Sequence, residues 1–137
     1  MAASPIEQVM AQVRASLLGA TDAGTRVERG RPDPFAREEL PAINVRRAPS
    51  STEAFGDGVD KVTVQFDVDC EVRGADWETS SDALHGQVEA ALQGSTQLKQ
   101  MLRGLRCIST DPNGEGGDET SGRLTCRYTA YFLQRRL

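Results

Sequence analysis

The sequence predicts an α+β domain in which a mostly antiparallel sheet of four to five strands carries its helices on one face. Three observations point there. Residues 61–74, KVTVQFDVDCEVRG, alternate apolar and polar side chains without a break, which is the period of a strand with one dry and one wet side. Two segments, beginning near residues 4 and 80, instead repeat apolar side chains at helical spacing, and strand-like segments separate and follow them. At 137 residues the chain fits one domain, spanning 1–137, able to bury a single core without disulfides or a metal.

The first element is a helix announced by SPIE, with Ser4 as N-cap, Pro5 at the first helical position and Glu7 placed to close a capping box. Ile6, Val9, Met10, Val13 and Leu17 form its apolar stripe, and it ends near Gly19. A short strand, TRVERG (25–30), precedes a proline-broken excursion, RPDPFAREEL. PAINVRR (41–47) is extended again, with Ile43 and Val45 on one side and Asn44 and Arg46 on the other. Residues 48–58, small and polar, read as a flexible connection before the long strand. A second helix starts near Ser80 or Ser81, places Leu84, Val88, Ala91 and Leu92 on one side and stops near Gly94. TQLKQMLRG gives a short third helix. LRCIST (105–110) and 122–137 complete the sheet, joined by an acidic, glycine-rich loop at 111–121 that is expected to be flexible.

Sixteen basic and twenty acidic residues leave a net charge of -4, with the acidic excess after residue 47. That balance argues against a protein that grips nucleic acid through its phosphates. Cys70, Cys107 and Cys126 are far apart, odd in number and accompanied by a single histidine, a pattern of reduced thiols in a cytoplasmic protein instead of a disulfide framework or a zinc site. Neither a leader-like N-terminus nor an apolar run of membrane-spanning length is visible, so the expectation is a soluble chain made in the cytoplasm.

Asp67, Asp69 and Glu71 share the polar side of the long strand, about 7 Å apart. In principle they can hold a hard cation. With only Lys61 and Lys99 to act as a nearby base, the preferred reading is a water-facing sheet surface. His85 and Glu89 stand one helical turn apart, but two ligands do not make a zinc site, and an exposed helix face is expected. No serine or cysteine sits in a nucleophile motif, and GEGG (114–117) lacks the ending of a phosphate loop. No catalytic residue, cofactor or metal is therefore assigned. The doublets Arg46–Arg47 and Arg135–Arg136 are either solvated strand ends or contacts to another subunit or partner.

The capped N-terminal helix, ELPAINV at 39–45, the long alternating strand and the Tyr128-x-x-Tyr131 ending together resemble the tail terminator proteins of long-tailed bacteriophages, the lambda minor tail protein U-like family. The resemblance spans nearly the whole chain. It implies a structural virion protein and no enzyme: a ring of six copies at the head-proximal end of the tail tube, ending tube polymerisation and offering the head-tail joining surface. The implied partners are further copies of the chain, the tail tube protein and the head-tail connector protein, with DNA passing through the lumen without specific binding and no membrane involved. A head-completion, connector or tube protein of related fold is the neighbouring alternative, and a small metal-dependent phage nuclease using the acidic strand is the enzymatic one. In a ring, the row Asp67, Asp69 and Glu71 is expected to face the lumen and repel phosphate. The two long loops are expected to order on docking.

Overall fold

The computed structural model describes residues 3–115 and 120–136. Helix α1 (Pro5–Leu17) is capped as its sequence predicts, the Ser4 hydroxyl accepting from the Glu7 N–H at 3.2 Å. Only that half of the capping box forms. The Glu7 carboxylate turns instead to Arg29 (2.8 Å) and Arg47 (3.2 Å), which hold its pKa below the ordinary carboxylate value, Arg29 foremost. The helix buries Val9, Met10, Val13 and Leu17, and its Arg14 donates to the carbonyl of Val27 at 2.7 Å, tying it to the first strand.

Strands β1 (Val27–Arg29), β2 (Ala42–Arg47), β3 (Ser51–Gly56), β4 (Val59–Arg73), β5 (Arg103–Glu115) and β6 (Ser121–Arg135) make one six-stranded sheet of order β1-β2-β4-β6-β5. β3 pairs with the start of β4, on the edge that β2 uses further along. Only the β1–β2 pair is parallel. A cis Leu40–Pro41 peptide leads into β2. Helices α2 (Trp77–Gln93) and α3 (Thr96–Met101) pack with α1 on the single apolar side.

The α+β class is as expected, with one strand more than foreseen. Residues 51–56, read as part of a loop, form β3, closed onto β4 by the two residues Asp57 and Gly58; Gly58 takes a positive φ of 70° that suits glycine. Residues 111–115 likewise belong to β5, not to a loop, while 116–119 of the expected loop lie outside the described residues. Pro112 is accommodated because β5 is the sheet edge.

The dry side of β4 is Val62, Val64, Phe66, Val68, Cys70 and Val72, all buried. Phe66 stacks on Tyr128 of β6, ring centroids 5.3 Å apart and planes within 5°. Leu84, Val88 and Leu92 of α2 and Leu98 and Leu102 around α3 close this core. α2 starts three residues earlier than its periodicity suggests because Trp77 has a seat. Gly114 and Gly122 are cross-strand partners of β5 and β6, and the indole spans both; a Cβ on either would fall inside the ring. No described helix is long and apolar enough to cross a membrane.

Candidate functional site

Opposite the helices lies a polar sheet face set out by the β2–β4–β6 register. Arg46 stands across from Asp67 and Asp67 from Arg127, while Asn44 is across from Asp69 and Asp69 from Thr125; Glu71 lies between Ala42 and Arg123. Alternation therefore does place Asp67, Asp69 and Glu71 together on this side. They are not a bare acidic row.

Arg46 grips Asp69 with two hydrogen bonds, Nε to Oδ2 at 2.8 Å and Nη2 to Oδ1 at 3.0 Å, and reaches Asp67 at 3.7 Å. Arg127 grips Asp67 in the same two-pronged way, at 2.8 and 3.0 Å. The Thr125 hydroxyl donates to Asp69 Oδ1 at 2.7 Å. The side chains of Asp67 and Asp69 are only 8% and 2% exposed, whereas Arg46 and Arg127 are 40% and 39% exposed. Carboxylates form the floor and guanidinium groups form the surface. Each cation is held charged by its acid, Asp69 for Arg46 and Asp67 for Arg127.

Glu71 is treated differently. Burial raises its pKa above the ordinary value, and only the Phe35 N–H and more distant Arg123 and Arg31 pull it back. A group whose folded pKa is raised contributes stability that is full below its unfolded pKa and fades as pH rises through the folded one. Glu71→Gln is accordingly expected to match the parent near pH 4 and to exceed its stability at pH 7.5 in urea titrations. Loss of stability at pH 7.5 would show that the ionised carboxylate is held favourably.

The arginine doublets divide. Arg46 and Arg47 are committed within the chain, to Asp69 and Glu7, and Arg136 pairs with Asp60 at 3.3 Å and donates to the Gly56 carbonyl. Arg135 is exposed at the end of β6 and makes no ion pair among the described residues. Side chains that the sequence reading did not weigh also stand free. Every residue of β3 is exposed, Phe55 by 61%, and Ile108 of β5 by 41%. Outward-pointing phenylalanine on a surface hairpin is the signal for the first of these.

Geometry alone defines a sheet-and-helix domain with an ion-paired face and an exposed hairpin. No protein-family model matches the chain, and no curated protein sequence matches it. Among solved structures the chain is similar to one in the virion of a native gene transfer agent particle, at 14% identity and a TM-score of 0.43, covering 94% of this chain and 92% of that one.

Proposed function

We propose that the chain is a structural, non-enzymatic subunit of a phage-like tail, of the tail terminator kind: six copies closing into a ring on the head-proximal end of the tube. The ring ends tube polymerisation and presents the surface that joins the head connector. The observation that carries this reading is the β3–β4 hairpin, whose β3 is exposed at all six residues with Phe55 at 61%. An unpartnered hairpin with an outward aromatic ring is a contact waiting for a protein surface. The sequence resemblance supports the same role, as does the commitment of Asp67 and Asp69 to arginines, which leaves neither carboxylate open for a catalytic cation.

In this ring the polar face of β4 lines the channel, and its ion pairs change the mechanism of DNA passage. A bare acidic wall repels phosphate; this wall compensates its own charge. Each guanidinium keeps three of its five N–H donors, but its charge is matched by the carboxylate beneath it, so its net pull on a phosphate is weak and DNA slides past without being held. Arg135, at the open end of β6, is the doublet residue best placed for a neighbouring subunit.

Sedimentation velocity over a concentration series tests the hairpin. The parent chain is expected to form a closed oligomer of one size. Phe55→Ser is expected to remain folded and shift toward monomer by about tenfold in concentration, the scale of a 1–2 kcal/mol aromatic anchor. Identical association of both chains would remove the hairpin from the interface.

A further inference from the structure

Away from the polar face, where α2 crosses β5 and β6, a second cluster of functional groups converges. The Tyr128 hydroxyl donates to Glu89 Oε1 at 2.5 Å and therefore accepts from His85 Nε2 at 2.9 Å, since its one proton is already used. His85 Nε2 and Glu89 Oε1 are 3.7 Å apart, on successive turns of α2. Cys107 is the cross-strand partner of Tyr128 and shares its side of the sheet. The β5 register breaks on both sides of it, between Arg103 and Arg106 and between Cys107 and Ser109, the kind of irregularity that re-aims a side chain. One donor atom from each of His85, Glu89 and Cys107 lies within 4.8 Å of the other two, and all three residues are half-buried.

We propose that His85, Glu89 and Cys107 form a binding site for one borderline-soft divalent cation of the zinc type. An imidazole, a carboxylate and a thiolate are the donors such ions take, and three protein ligands leave a fourth position for water. Charge balances: one carboxylate and one thiolate match the dication in a half-buried place. Tyr128 is a positioning residue, its neutral phenol fixing the Glu89 carboxylate from below. A cysteine thiol is protonated at neutral pH, so the incoming cation must displace the Cys107 proton. On binding, His85 moves its proton from Nε2 to Nδ1, the Cys107 sulfur loses its proton to solvent, and two new metal bonds form at those atoms beside the one to Glu89. One proton leaves per cation. The bound ion pins α2 to the edge strand β5, adding to side-chain packing and to the Gln93 hydrogen bond to the Leu105 carbonyl at 3.0 Å.

Titration of the full, reduced chain with Co2+, followed by its absorption, tests this site. One equivalent is expected to bind with a thiolate-to-metal charge-transfer band, to release one proton and to be displaced by Zn2+. Cys107→Ser is expected to abolish the band, and His85→Gln to weaken binding by at least about tenfold. Cys70→Ser and Cys126→Ser are expected to keep the band. Should His85→Gln not fold, Glu89→Gln on the open side of the helix reports the same loss of affinity. No thiolate band at excess Co2+, or a band that survives Cys107→Ser, overturns the site.

Discussion

Gly122→Val is expected to destabilise the domain by about 3 kcal/mol, the upper end of what overpacking costs. The indole of Trp77 spans Gly122 and its ladder partner Gly114, and an added side chain at either lands inside the ring. The ring has no cheap way out, because Trp77 is the first residue of α2 and moving it tilts the helix that carries Leu84, Val88 and Leu92 into the core. Gly122→Ala is expected to cost less, and Trp77→Ala combined with Gly122→Val to be milder than the sum of the two single changes, since the collision disappears with the indole. Urea unfolding with tryptophan fluorescence measures the glycine variants, and circular dichroism measures Trp77→Ala and the double, which lack the chain's one tryptophan. Strict additivity would mean that indole and glycine do not meet.

Arg46→Ala is expected to cost about 3 kcal/mol, the low end for stranding a buried charge, because the guanidinium is half-exposed while its acid is not. The Asp69 side chain, 2% exposed, would keep only the Thr125 hydroxyl as partner. Arg127→Ala is expected to cost less: Asp67 retains Arg46 at 3.7 Å. Replacing both members together, Arg46→Met with Asp69→Leu, is expected to return most of the lost stability, since it removes the uncompensated charge as well as the pair. If Arg46→Ala instead falls within about 0.5 kcal/mol of the parent, the pair behaves like an ordinary surface salt bridge. The face would then carry mobile cations, and its charge compensation would not support the proposed unhindered passage of DNA.

The parts of this fold governed by local rules are legible in the sequence. Ser4 and Pro5 mark α1, strict alternation marks β4, and the apolar stripe of α2 fixes its buried side. What escapes is set by partners distant in the chain. β3 has no buried residue and so no alternation to display; only the Asp57–Gly58 pair signals its hairpin. The early start of α2 depends on a glycine seat built from two other strands. The acidic row is visible as a row, but its neutralisation is not, because nothing local tells Asp67 that Arg127 is its ladder partner sixty residues on. The same holds for the cation site: His85 and Glu89 are readable as a helical pair, while Cys107 joins them only through the register of β5 on β6.

Electron microscopy of tails assembled without this chain tests the proposed role most directly. Absence of the ring is expected to leave tubes that grow past their normal length and heads without tails attached, both restored when the chain is supplied. Tails of normal length joined to heads in its absence would contradict the role outright.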